Sequence, residues 1–565
     1  MKPPALRDEP FAFYSGGYMP ARYAPIGAWV KYRKGPNEVK LLDIGPRHAH
    51  ISCPDRELML TRDALVTGGP RNFATEGWHE FVPFGWCNSP TKEHYPPQFM
   101  INYVAHVQGL QSPRMRAPGA VRADGRRIMS DSGGFQLGSG VVQWVNPVTL
   151  AEWYIDNVDE GMALDIPTGW YDSTPLADRA ARVQAMNSRV MQKILPPEFP
   201  LFEAVHGRRI EDMLRYNKIS AKGIKTDRVA IGSNNRIGLV PALYRFANLV
   251  LDKRFPRYQQ YHMLGVYNIA LLCPLIRFAA LLRKKNVHQC TITTDATTAV
   301  QSGVNRTFHL QRVHYKAAER LKYLRIVGLS HPNPHRTIAC SCPVCSTLRY
   351  ADILAHVDSA IVAHAMISHN AIEIERWVNM MTAYAGTLDR EEYAELSAKA
   401  CESSADKNAA VHALNFVEDI FEHGIKEANR RSRLLLVGSL YDNPYYSLTA
   451  GHTDNDELLY GGEEASTPKN DFEKEMARLH DKVDAEGFTQ FERNGMKILA
   501  GYEAFHKTGK EPEFKDAKSV RPVTGNSIAH GKNRTLDKKK TSAIVLKARS
   551  SGRIKTPLSE ILMGG

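Results

Sequence analysis

Long apolar runs are scarce in this chain. The longest, residues 269–282, is interrupted by Arg277 and falls short of the roughly 18 residues that a membrane span needs, so no membrane role is expected. The first residues, Met-Lys-Pro-Pro, lack the apolar stretch of a secretory signal, and a cytoplasmic location is expected. Cysteine is sparse: eight in 565 residues cannot build a disulfide scaffold. No collagen-like or coiled-coil period is present, and no G-x-G-x-x-G follows a first strand, which argues against a dinucleotide-binding fold. A helix-turn-helix or a repeated finger pattern, as in a zinc-binding DNA regulator, is also missing.

What is present suits a large cored protein. With 43% apolar and 24% charged residues, the 565-residue chain has material for two or three domains. The formal charge is +13, and residues 521–565 hold ten Lys or Arg against Asp537 and Glu560. A basic arm of this kind is either a solvated terminus or a contact for nucleic-acid phosphates.

Between residues 99 and 297, short apolar runs alternate with stretches of helical period. Strands are expected at 99–104, 127–129, 162–164, 201–205, 228–231, 262–266 and 291–294. Helices are expected at 149–161, 176–194, 209–220, 240–255 and 268–285. The polar or small residues closing these strands, Asp131, Asp165, His206, Ser233, Gly265 and Asp295, follow one another at 27 to 41 residues. A βαβ step takes about thirty. Such a parallel sheet is either open and doubly wound or closed into a barrel, and in both its function gathers at the carboxyl ends of the strands. Three aspartates at strand ends favour an α/β (β/α)8 barrel of the TIM type.

The expected organisation is an N-terminal segment at 1–98, a cap with a first strand such as 29–32 or 38–42, and then a catalytic barrel at 99–330. A zinc-binding subdomain at 331–375, a helical extension at 376–460 and a linker with basic tail at 461–565 follow. In the extension, helices are read at 351–381, 390–400 and 408–428.

Ser130-Asp131-Ser132-Gly133-Gly134-Phe135-Gln136 ends a strand with two glycines that let backbone approach a flat ligand. Taken alone, Asp-Ser-Gly-Gly is also an ordinary tight turn. The whole heptad resembles the signature of the tRNA-guanine transglycosylase superfamily, whose members exchange guanine in nucleic acid for a 7-deazaguanine. Residues 101–106 resemble that family's N-x-Y-H stretch, and Ala163-Leu164-Asp165 its base-binding aspartate segment, followed by Ala-Asp-Arg-Ala-Ala-Arg at 177–182. Ala230-Ile231-Gly232 is similar to its A-I-G-G loop and Leu264-Gly265-Val266 to its M-G-V turn. Asp295 with Ser302-Gly303-x-Asn305 is similar to its nucleophile strand and loop. The resemblance covers about residues 99–375.

It implies a base exchange through a covalent aspartyl-glycosyl intermediate. Asp295 is then the nucleophile and Asp131 the acid and base, while Asp165 binds the base and Phe135 stacks on it. Ser132, Gly133, His206, Gly232, Ser233, Leu264 and Gly265 complete the substrate site. Two positions depart from the family: His206-Gly207 stands where the tRNA enzymes carry Gln beside Gly, and Ser233 replaces their second loop glycine. The base pocket is therefore altered.

Cys340-x-Cys342-x2-Cys345 supplies three thiolates, and with His369, after 23 intervening residues, the ligand set of a closed tetrahedral zinc site. His356 and His364 are rivals for the fourth place; His369-Asn370 matches the family's helix. The altered pocket, the long N-terminal segment and the lack of a recognisable tRNA-binding domain favour DNA over tRNA as the nucleic-acid partner, with a free 7-deazaguanine base such as 7-cyano-7-deazaguanine as second substrate. In viruses this chemistry shields DNA from restriction. The alternatives are a tRNA-guanine transglycosylase of the queuosine or archaeosine type, or a non-catalytic partner subunit of one. A homodimer is compatible with each.

Overall fold

In the computed structural model, eight parallel strands hydrogen-bond in a circle. They are β1 (Phe11–Gly16), β7 (Gln98–Asn102), β8 (Arg127–Asp131), β9 (Glu160–Met162), β10 (Leu201–Val205), β11 (Arg228–Ile231), β12 (Gln260–Met263) and β13 (Thr291–Ala296). β1 pairs with β13 on one side and β7 on the other, so the circle of pairings closes. The structure describes residues 10–16, 29–32, 39–44, 48–52, 57–61, 65–66, 98–104, 127–138, 142, 144–167, 174–207, 210–232, 239–266, 268–296, 302, 308–316, 319–327, 360–401, 404–439 and 490–512.

Between β1 and β7 lie five antiparallel strands, β2 (Trp29–Tyr32), β3 (Val39–Ile44), β4 (His48–Ser52), β5 (Glu57–Thr61) and β6 (Leu65–Val66), in the order β5-β4-β3-β2-β6. The pieces at 29–32 and 38–42, read as a cap or first strand, thus belong to this sheet, and the first barrel strand is β1. After β13 come the antiparallel pair β14 (Phe308–Lys316) and β15 (Glu319–Val327).

Helices follow the strands, with two departures from the expected bounds: the helix expected at 149–161 ends at Asn157 because Glu160–Met162 pair with β8 and β10 as β9, and the one expected at 408–428 is broken at Gly424, whose φ is +83°. α1 (Gly134–Gly138) and α2 (Pro147–Asn157) follow β8, α3 (Thr174–Ile194) follows β9, α4 (Ile210–Ser220) follows β10, α5 (Leu239–Leu251) follows β11 and α6 (Ile269–Lys284) follows β12. α2 starts where Asn146 caps it, its side chain accepting the Val148 N–H at 2.8 Å, with Pro147 in the first turn where no amide partner is needed. Asn268 caps α6 in the same way.

The extension comprises α7 (Ala360–Thr387), α8 (Arg390–Ala400), α9 (Ser404–His423), α10 (Ile425–Ser439) and α11 (Gln490–Thr508). α7 packs on β1 and α6, and α9 on α6. A buried ion pair between Arg277 and Glu418, 2.7 Å apart, fixes α6 to α9, and the same guanidinium donates to the carbonyls of Ala385 and Leu388. The arginine that interrupts the longest apolar run is therefore an anchor. α11 lies inside the 461–565 stretch read as linker and tail. It returns to the barrel: Tyr502 stacks on Trp144 and donates to the Val145 carbonyl at 2.7 Å, and Glu503 takes a two-pronged ion pair from Arg179 of α3. No helix among the described residues is long and apolar enough to cross a membrane.

Strand alternation sorts the barrel interior into three layers. Met100, Met129, Met162, Phe202 and Ala230, one from each of five successive strands, make the apolar middle. Two residues earlier stand Arg127, Glu160 and Arg228. Arg127 grips Glu160 with bonds of 2.9 and 3.1 Å, and Arg228 donates to Gln260 at 2.7 Å, so the amino end of the barrel is closed by a polar network. Two residues later, at the carboxyl ends, stand Asn102, Asp131 and Gly232.

Candidate active site

Asp131 is the last residue of β8, and the parallel register sets Asn102 of β7 directly beside it. Asn102 Nδ2 donates to Asp131 Oδ2 at 2.7 Å and to Gln136 Oε1 at 3.0 Å. The chain then turns at Gly133, whose φ of +89° suits glycine, and where a Cβ would stand 2.3 Å from Val104. This turn aims Ser132 at Asp165. The Ser132 hydroxyl donates to Asp165 Oδ1 at 2.6 Å and accepts the Gly134 N–H at 3.3 Å. Phe135 is half-buried on the first turn of α1.

Asp165 follows β9 and is buried. Its second oxygen lies 2.7 Å from Nε2 of His206, just past β10. Both carboxylate oxygens thus face a donor, which holds the group for a ligand edge that also donates. Nδ1 of His206 is buried and has no hydrogen-bond partner among the described residues. Gly232, past β11, packs against this ring: a Cβ there would stand 2.4 Å from Cε1 and from Nδ1.

Asp295 stands on β13. The Gly265 amide donates to its Oδ1 at 2.8 Å, and Nε2 of His262 lies 3.2 Å from the same oxygen. His262 donates there in the tautomer that leaves Nδ1 to accept from Thr293, 2.9 Å away. Because both contacts fall on Oδ1, Oδ2 takes no hydrogen bond from the described residues. Leu264 is half-buried above the apolar layer and Gly265 is exposed.

The three carboxylates share one end of the barrel, and Asp131 feels the charge of the other two. Asp131 is pushed up to about 7, first by burial and then by the charge of Asp165, with Asp295 adding a smaller push. The bonds from Asn102 and the Gly133 amide act in the opposite direction. A carboxyl titrating near neutral pH can both give and take a proton there. The arrangement offers a carboxyl that titrates near neutral pH, a buried acceptor and a carboxylate whose Oδ2 takes no hydrogen bond from the described residues.

Of the residues read from the sequence, the structure brings Asp131, Ser132, Gly133, Asp165, His206, Gly232, Gly265 and Asp295 to this end. Ser233, Cys340, Cys342 and Cys345 lie outside the described residues; His369 is fully buried on α7. Asn102 and His262 were not singled out beforehand. The signal for both is positional: each lies on the inward face of its strand, Asn102 inside the 101–106 stretch and His262 two residues before Leu264-Gly265-Val266. One group of described residues, Asp419, Glu422 and His423 near the end of α9, could hold a metal ion. Arg390 and Arg431 lie 3.9 and 3.6 Å from Asp419 and already balance its charge. No family model and no curated protein matches the chain.

Proposed function

We propose that this protein is a base-exchange transglycosylase that replaces guanine in nucleic acid, DNA by preference, with a 7-deazaguanine derivative. The observation that carries the reading is the convergence of Asp131, Asp165 and Asp295 at one barrel end, with Asp131 raised to about 7. Asp295 attacks C1′ through Oδ2, and the N-glycosidic bond breaks with its electron pair moving to N9 of guanine. Protonated Asp131 supplies the proton that the departing guanine needs. The incoming base then gives its N9 proton to Asp131, and its nitrogen displaces the Asp295 carboxylate from C1′. Asp165 accepts from the donor edge of each base in turn, with Phe135 against its face.

Zinc would be held by Cys340, Cys342, Cys345 and His369. The donor set fits: three thiolates and a buried imidazole fill a tetrahedral site, and a filled site braces the chain and leaves the chemistry to the aspartates. The target base must leave its stack to reach a strand-end pocket, so the backbone has to be held on both sides. The ten Lys and Arg after residue 520 supply cations for that. The test offers duplex DNA and tRNA together with labelled 7-cyano-7-deazaguanine. Label in DNA supports the reading, and label in tRNA alone replaces it with the tRNA enzyme. A chain truncated at residue 520 should show a higher KM for DNA and a flatter salt dependence at similar kcat.

A further inference from the structure

Arg245 on α5 is wholly buried, an unusual place for a guanidinium. Its Nη1 donates to the Gly207 carbonyl at 2.6 Å and its Nη2 to the Gly232 carbonyl at 3.0 Å. These are the residues where the chain leaves β10 and β11. One planar fork thus spans two strand ends, and the spacing of its nitrogens fixes the gap between them. The gap is where His206 sits. Gly232 packs against the His206 ring on one side, its own amide bonded to Val205 at 2.9 Å, and Asp165 meets the ring on the other. On the Gly207 side a Cβ would stand 2.8 Å from the Met213 amide nitrogen, so that end is also confined.

We propose that Arg245 is a positioning residue for the ligand pocket: by clamping the carbonyls of Gly207 and Gly232 it holds His206 against Asp165 and so sets the shape of the base-binding wall. Lysine cannot reproduce this role, because a single ammonium lacks the two fixed parallel donors. The kinetic part rests on the base-exchange reading; the structural part does not.

The experiment compares wild type with Arg245→Lys and Arg245→Gln, reading amide hydrogen exchange over residues 201–207 and 228–232 in the free protein, and KM and kcat for the incoming base. Arg245→Gln should lose protection at both strand ends and raise KM by about ten- to a hundred-fold, the size of a lost charged hydrogen bond, with kcat within about threefold. Arg245→Lys should fall between. Unchanged protection at both strand ends, or a fall in kcat at unchanged KM, would overturn the proposal. So would failure of Arg245→Lys to fold, which would assign the residue to stability alone. If wild type exchanges no base, the reading of the function fails while the hydrogen-exchange result still decides the role of Arg245.

Discussion

Asn102 Nδ2 lies 2.7 Å from Asp131 Oδ2, across the register that pairs the last residues of β7 and β8. The bond favours the ionised carboxylate and opposes the burial and neighbouring charge that push Asp131 up to about 7. Asn102→Ala removes this restraint, so the carboxyl should hold its proton to higher pH. On the base-exchange reading, excision of guanine would need protonated Asp131, and kcat/KM for the nucleic acid should fall as pH rises through that pKa. In Asn102→Ala this descending limb moves upward by about one pH unit. A pH profile of kcat/KM checks it; a limb that stays in place or moves down removes Asp131 as the acid.

Glu203 presents the same physics in a structural setting. It faces outward from β10 into the contact with α4, where Ser220, Asn217 and Tyr258 donate to it, yet burial lifts it to about 7. Its folded pKa stands above the unfolded value of about 4.3, so its contribution to stability is fully present below that value and is lost as pH rises through about 7. Wild type should therefore lose up to about 3 kcal/mol between pH 5 and pH 8.5 from this group. Denaturant melts across that range should show Glu203→Gln free of this part of the loss; identical slopes for both would refute the assignment.

Gly232→Ala should damage both fold and pocket. The new methyl group would stand 2.4 Å from a ring that Asp165 pins in place. Overpacking of this kind costs about 1–3 kcal/mol, and displacement of His206 should raise KM for the incoming base. Thermal melts and base titrations read the two effects separately. A variant with wild-type stability and KM would show that the His206 wall is dispensable.

On the proposal that Cys340, Cys342, Cys345 and His369 hold zinc, Cys342→Ala should release the metal and destabilise the protein, because loss of one thiolate undoes metal-coupled folding. Metal analysis of the purified protein decides it. A folded, active preparation with no zinc would exclude the site.

The parts of the fold that the sequence made legible are those set by local pattern. The strands β8, β10, β11 and β13 stand where apolar runs end in a polar residue, and α8 matches its expected bounds. β1 escaped because Phe-Ala-Phe-Tyr-Ser-Gly has no alternation to mark it; the partners that make it a barrel strand lie at β7 and β13, far along the chain. α11 escaped for a related reason. Its aromatic face has no meaning until Trp144, more than 350 residues earlier, is set against Tyr502. Within the site, motif residues could be read one by one, while His262 and Arg245 look like ordinary buried polar residues until the register places one beside Asp295 and the other behind two strand ends.

The most direct test of the base-exchange account is incorporation of radiolabelled guanine into duplex DNA and tRNA by wild type and by Asp295→Asn. The account predicts label in the polymer with wild type, and none with Asp295→Asn, whose amide cannot serve as an anionic nucleophile at C1′, in a protein that melts as wild type does. Wild-type rates in Asp295→Asn, or no incorporation into either polymer by wild type, would contradict it.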